Sequence, residues 1–285
     1  MKKLAKLIAV MALVPAMLAG CGNSASTSDE TTTAASADTE TAAVTEAGED
    51  NSLQKVLDSG EFILGLDATF KPMGYTDEND EIVGFDIDCA EEVCARLGVK
   101  LVKQPIDWDT KEQDLDSGKI DCIWNGMSIN ASRQEVMNLS EPYMKNEMVF
   151  VVTADSAIAS QADLDGKIVA VQSGSTAQEI LEGAGLNITE NALATNVECL
   201  QQLELNLVDA VFMDSVVANY EIKESGKDYV LLSDGLEEEE YAIGFRKNDQ
   251  ALRDKVQETL SEMKADGKLG EISEKWFGSD ITTVQ

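Results

Sequence analysis

The chain of 285 residues is 44% hydrophobic and 26% charged, with 22 Lys and Arg against 53 Asp and Glu and no His; this excludes a wholly disordered polymer and leaves apolar sequence for one or two domains. A net charge of −31 excludes nucleic acid as a partner, because phosphate binding needs clustered cations, and it excludes electrostatic attachment to an anionic membrane. Without His there is no His-activated nucleophile and no catalytic zinc of the usual kind, so no metal or cofactor is expected.

The N-terminus reads as a targeting segment. Lys2, Lys3 and Lys6 precede an apolar run from Leu7 to Leu18, which ends at Leu18-Ala19-Gly20-Cys21. A basic start, a short apolar stretch and small residues make a secretory signal over 1–20. The last four residues resemble the bacterial lipobox, which implies acylation of Cys21 and a lipid anchor on the outer face of the cell membrane. The next segment, to about residue 52, is Ser, Thr, Ala and acid without an aromatic, too polar to fold. Setting aside three N-terminal lysines and seven linker acids leaves 19 basic and 46 acidic residues, a net charge of −27.

Beyond the linker, strands and helices alternate. Strands are expected at Phe62–Leu66, Val99–Val102, Ile120–Trp124 (ending at Asn125-Gly126), Glu147–Thr153, Lys167–Val171, Ala210–Met213 and Tyr241–Phe245. Helices are expected at Phe85–Leu97, Thr110–Asp116, Thr176–Glu182, Val197–Leu207, Asp214–Glu224, Gln250–Lys264 and Leu269–Phe277. This order predicts parallel sheets with helices on both faces. Two similar α/β runs, joined by extended segments near Tyr143–Met148 and Glu238–Ala242, predict two lobes: 53–146 with 240–285, and 147–239. The cleft between them faces the strand C-termini, where open α/β sheets bind ligands.

Cys89, Cys94, Cys122 and Cys199 are expected to be buried thiols, since 89 and 94 are poorly spaced for a bridge on one helix and no C-x-x-C pair exists. Glu237 to Glu240 read as a solvated run at the second crossing. Ser261-Glu262-Met263-Lys264 matches S-x-x-K by chance, on an amphipathic helix without companion motifs.

Eight segments, in order, carry a resemblance: Gly65-Leu-Asp-Ala-Thr-Phe-Lys-Pro72, Val83-Gly-Phe-Asp-Ile-Asp88, Leu115-Asp-Ser-Gly-Lys-Ile-Asp121, Asn125-Gly-Met-Ser-Ile-Asn-Ala-Ser-Arg133, Ser140-Glu-Pro-Tyr143, Asp163-Leu-Asp-Gly-Lys167, Val171-Gln-Ser-Gly-Ser-Thr176 and Asp209-Ala-Val-Phe-Met-Asp214; Asp266-Gly-Lys-Leu and Lys275-Trp-Phe-Gly278 follow. From about Leu53 to Gly278 the chain resembles the extracytoplasmic solute-binding proteins of polar amino-acid ABC transporters, of the family 3 type. The resemblance implies a type II two-lobed periplasmic-binding-protein (venus-flytrap) fold with two hinge strands. It implies a non-enzymatic lipoprotein, expected as a monomer, that delivers a polar amino acid to an ABC permease and its ATPase.

The chemistry of the marked residues agrees. Arg133 can clamp a carboxylate with two parallel hydrogen bonds, Ser128 offers a hydroxyl, and Thr176 opens a helix whose N–H groups favour an anion. Asp214, acceptor-only when ionised, suits an ammonium. By similarity, Arg133, Ser128 and Thr176 hold the carboxylate, and Asp214 with the Gly126 carbonyl holds the ammonium. Asp67, Phe70, Trp108 and Gln172 form the side-chain end, and Asn125 stands at a position often small in the family. Asp67 favours a ligand with a side-chain N–H, glutamine or a basic amino acid; Met213 points toward cystine. An enzyme like cyclohexadienyl dehydratase, on the same fold, would need a general acid over the leaving group. A receptor domain of a sensor kinase would need a second span or signalling domain, which is not expected here.

Overall fold

The computed structural model describes residues 50–232, 234 and 237–285. The signal segment, Cys21 and all but the end of the linker lie outside them. The linker reading to residue 52 runs slightly long, because Asp50 and Ser52 are tied into the fold. The Asp50 carboxylate accepts the Ser52 N–H, and the Ser52 hydroxyl accepts the Leu252 N–H at 3.1 Å.

From there the elements are α1 (Ser52–Ser59), β1 (Glu61–Leu66), three short strands β2 (Thr69–Phe70), β3 (Gly74–Thr76) and β4 (Ile82–Val83), then α2 (Phe85–Leu97) and β5 (Lys100–Pro105). A 3-10 turn at Trp108–Thr110 leads into α3 (Lys111–Asp116), β6 (Cys122–Ser128), α4 (Ala131–Val136), β7 (Met137–Leu139) and β8 (Met144–Thr153). A second 3-10 turn (Gln161–Leu164) precedes β9 (Ile168–Gln172), α5 (Thr176–Gly183), β10 (Thr189–Leu193), α6 (Asn196–Glu204), β11 (Ala210–Asp214), α7 (Ser215–Ser225) and β12 (Tyr229–Leu231). The chain closes with β13 (Glu237–Arg246), α8 (Gln250–Ala265) and α9 (Lys268–Phe277).

The strands follow the order β10-β9-β11-β8-β13-β6-β1-β5. At one end β5, β1 and β6 are parallel, and at the other so are β10, β9 and β11. These ends are the sheets of the two lobes. The expectation of wholly parallel sheets is corrected at the centre: β8 runs antiparallel to β11 and β13, and β13 antiparallel to β6. Each long strand serves both lobes. Met148–Val151 of β8 pairs with β11, while Met144–Met148 pairs with β13; Glu237–Tyr241 of β13 pairs with β8, and Tyr241–Phe245 with β6. The lobe limits drawn from sequence, 146/147 and 239/240, fall inside these two strands.

Strand β6 does not stop at Asn125-Gly126 but runs on to Ser128. Gly126 takes a left-handed φ of 56°, and a Cβ there would sit 2.8 Å from the Phe70 ring. Only glycine lets the strand continue against that ring. The Glu237–Glu240 run is likewise not wholly solvated. It is a strand, so alternate residues face opposite ways, and Glu239 is buried while its neighbours are exposed.

In the first lobe, α2 buries Ile87, Ala90 and Val93 with Phe62 and Leu64 of β1, and α8 and α9 return to the same core through Leu252, Val256 and Leu269. The second lobe packs Val169, Val171 and Leu181 around Phe150 and Phe212, whose ring centroids are 4.5 Å apart. Each such apolar side chain contributes about 1.5–3 kcal/mol on full burial. Cys89, Cys94, Cys122 and Cys199 are buried free thiols, and burial pushes Cys94 and Cys199 up to about 12. Among the described residues no helix is long and apolar enough to cross a membrane.

Candidate functional site

The ends of β1, β6, β9 and β11 converge on one small cavity between the lobes. All ten residues expected at the site line it: Asp67, Phe70, Trp108, Asn125, Gly126, Ser128, Arg133, Gln172, Thr176 and Asp214. Sequence reasoning missed two further lining residues, Met148 and Ser175.

At one side stands Arg133 in α4. Asn130 caps that helix by accepting the Arg133 N–H at 2.8 Å. The guanidinium is buried, and its Nη1 donates to the Ser128 carbonyl at 2.7 Å. Burial lowers its pKa; the carboxylates of Glu112, Glu179, Glu239 and Asp214 act the other way. With one N–H fixed on the backbone, the side chain is held in place and the rest of its fork can serve an anion. Across the cavity, α5 begins at Thr176. Ser175 is its N-cap and accepts the Gln178 N–H at 3.1 Å, and both Ser175 and Thr176 line the cavity, so the start of the helix lies on its wall.

Asp214, at the end of β11, lines the cavity from the second lobe. It occupies the N-cap position of α7, but its side chain makes no cap bond. Its Oδ1 accepts instead from the Tyr241 hydroxyl at 2.7 Å and from Asn146 Nδ2 at 2.9 Å. Burial pushes its pKa up to about 6, against the pull of those donors and of Arg133. Beside it, Glu239 is pushed up to about 7 by burial and by the Asp214 charge. Gly126 is fixed from behind. Its N–H donates to Asp86 Oδ2 at 2.7 Å, and the Tyr143 hydroxyl donates to the same oxygen at 3.1 Å. Burial raises Asp86 to about 7, with those two donors opposing.

The lobes meet over the cavity. Gln172 Nε2 of the second lobe donates to Asp67 Oδ2 at 2.8 Å, and Thr69 supplies its N–H and hydroxyl to Asp67 Oδ1 at 2.9 and 2.7 Å. Asp67 therefore has donors from the protein itself, so the expectation that a ligand must supply one does not follow from its burial. Lys111 was unanticipated: a lysine in the first turn of a short helix reads as a surface charge, yet it is buried. Its Nζ donates to the Gly174 carbonyl at 2.9 Å across the cleft and lies 5.3 Å from the Trp108 ring centroid. Burial and the nearby Arg133 lower its pKa, and Glu112 raises it. Asn130 Nδ2 donates to Thr176 Oγ1 at 3.2 Å and Glu179 Oε2 at 2.9 Å. These three bridges hold the two lobes closed. Met213, by contrast, is fully buried in the core and does not line the cavity; it carries no information about the ligand.

A buried cation, a buried acid and a helix start thus line one cavity between two α/β lobes. The sequence profile of the bacterial extracellular solute-binding proteins, family 3, matches residues 62–279. The chain belongs to that family. The L-cystine-binding protein TcyJ of Escherichia coli K12 is 28% identical over 232 residues, covering 81% of this chain and 87% of the relative. The arginine-binding extracellular protein ArtP of Bacillus subtilis is 32% identical over 222 residues, covering 75% and 85%. Among solved structures, an ABC uptake transporter substrate-binding protein from Streptococcus pneumoniae with bound histidine superposes with a TM-score of 0.80 at 40% identity, covering 82% of this chain and 98% of that one. The two-lobed solute-binding fold of family 3 is thus the fold of this chain.

Proposed function

We propose that this family 3 protein captures a free α-amino acid between its lobes and presents it to an ABC permease. The observation that carries the reading is the pairing of buried Arg133 and buried Asp214 on one closed cavity, each feeling the other's charge. An α-amino acid offers one carboxylate and one ammonium on a single carbon, and two opposite charges fixed on facing lobes recognise that arrangement and little else. Arg133 and the start of α5 at Thr176 take the carboxylate, with Ser128 beside them holding Arg133 through its carbonyl and Glu239 through its hydroxyl; Asp214 and the Gly126 carbonyl take the ammonium. Phe70 and Trp108 sandwich the side-chain stem, with Asp67, Gln172 and Asn125 at its polar end.

The ligand is a polar amino acid whose side chain carries N–H, glutamine or a basic one, in keeping with the arginine-binding relative and the neighbour with bound histidine. Cystine stays in the panel because of the cystine-binding relative. The protein acts by binding and not by catalysis, in keeping with relatives named as binding proteins. Acylated Cys21 holds it to the outer face of the membrane, and the acidic linker spaces it from the surface.

A thermal-shift screen of the purified protein against the twenty amino acids, ornithine and cystine tests the reading. A ligand at 100 times its Kd adds about 2.7 kcal/mol of stability, so a polar amino acid gives a clear rise in Tm. No rise with any of them, or a rise with leucine or glutamate alone, contradicts it. Turnover of prephenate, followed by absorbance, would show an enzyme instead.

A further inference from the structure

Two buried acids meet where the long strands cross. Glu239 on β13 stands opposite Asn146 on β8 in the strand register. Asn146 Nδ2 donates both to Asp214 Oδ1, at 2.9 Å, and to Glu239 Oε2, at 3.3 Å, so one amide holds both carboxyl groups. Its Oδ1 is engaged elsewhere, accepting from Ser215 Oγ at 3.3 Å and the Val216 N–H at 3.4 Å. Glu239 Oε2 also accepts the Ser128 hydroxyl at 2.8 Å, while Oε1 is buried without a partner. Ser128 in turn gives its carbonyl to Arg133. The carboxylate anchor and the ammonium anchor are therefore joined through the hinge by Ser128, Glu239 and Asn146.

The charges around Glu239 do not neutralise it. Asp214 on β11 acts on it directly, Glu179 on α5 and Glu147 on β8 lie nearby, and Glu237, Glu238 and Glu240 of its own strand are exposed; Tyr241 donates its hydroxyl to Asp214. The facing cations are Lys145 on β8, exposed, and Arg133 on α4, buried and reserved for an anion. Two carboxylates sharing a desolvated site and one amide donor do not both stay ionised without a cation between them. Burial raises both groups, which agrees with that geometry.

We propose that Glu239 is a positioning residue of the amine subsite: the Asp214–Glu239 pair holds one proton in the empty cleft and gives it up when the α-ammonium of a captured amino acid docks. This rests on the amino-acid reading of the cavity. The carboxyl O–H bond breaks, its electron pair stays on oxygen, and the proton passes to the buffer. The ammonium N–H groups then donate to Asp214, and their charge stabilises Glu239 as its anion through the shared Asn146. Binding is consequently tightest above the titration of the pair and weakens as the pair protonates.

Calorimetry of the full-length protein with L-arginine, L-histidine and L-cystine, in two buffers of different ionisation enthalpy, measures the proton directly. Wild type is expected to release a proton on binding and to tighten several-fold, up to about tenfold per pH unit, as pH rises from about 5.5 to 7.5. Glu239→Gln keeps an acceptor for Ser128 but has no proton to lose. It is expected to release less than half as much and to flatten the profile. Loss of the protonated-carboxyl infrared band on adding the same amino acids makes the test on wild type alone, whatever the variant's folding. A buffer-independent enthalpy in wild type, or unchanged release in Glu239→Gln, overturns the proposal. Failure of wild type to bind any amino acid, at any pH, overturns instead the reading beneath it.

Discussion

Replacing Arg133 with Lys keeps the charge and removes the fork. In the folded protein Arg133 is 3% exposed and spends Nη1 on the Ser128 carbonyl at 2.7 Å. A lysine has one nitrogen to satisfy both that carbonyl and a ligand carboxylate. At least one charged hydrogen bond is lost, worth about 1.5–3 kcal/mol, so Kd rises by roughly 10- to 150-fold. The shorter reach of the ammonium also removes the coplanar geometry that two parallel N–H groups provide. Titration calorimetry measures the affinity, and circular dichroism with thermal unfolding of the ligand-free variant shows that the fold persists. A variant that folds and binds with wild-type Kd would refute the placement of the carboxylate at Arg133.

Three further outcomes follow from other parts of the structure. Gly174→Ala places a Cβ 2.5 Å from Asp109 Oδ1 at a residue with φ of 65°, so the cleft closes less completely; small-angle scattering should show a larger ligand-free radius of gyration, with weaker binding, and an unchanged radius counts against the closing contact. Asp86 has a folded pKa raised by burial to about 7, above the ~3.9 of an unfolded Asp. The folded protein then binds more protons than the unfolded chain between those values, and stability falls as pH rises from about 4 toward 7. Asp86→Asn, which keeps an acceptor for the Gly126 N–H, should flatten that fall in urea-midpoint measurements; an identical pH slope would refute the assignment. Cys21→Ser should move the protein from the detergent phase to the aqueous phase on partitioning, without altering the unfolding of the folded region, and unchanged partitioning argues against a lipid anchor.

Much of the architecture was written in local patterns. The apolar spacing from Phe85 to Leu97, stopped by Gly98, marks α2 to the residue, and the terminal helices are displaced by a residue or so. The site was legible because its members sit at strand ends and in short motifs, where the topology must bring them together. What was hidden has physical reasons. The strands β2, β3 and β4 have two or three residues each, too few to show a period. Asn125-Gly126 looks like a strand end, and becomes mid-strand because the left-handed glycine and the shift in register opposite Ala242 and Gly244 absorb the bend. A run of four glutamates looks solvated; the pleat that turns Glu239 inward is invisible until its pairing with Asn146 is known. Lys111 gave no signal, since its burial depends on the second lobe meeting the first.

The central claim is that the cleft recognises both charges of an α-amino acid at once. Calorimetry with an amino acid that binds, beside its decarboxylated amine and its deaminated acid, tests this most directly. Each truncated compound leaves a buried charged anchor unpaired, Arg133 in one case and Asp214 in the other, at a cost of about 1.5–3 kcal/mol or more. Both should therefore bind at least ~10-fold more weakly than the intact amino acid. If either the amine or the acid binds as tightly as the amino acid, the cleft does not work by clamping the two charges between Arg133 and Asp214.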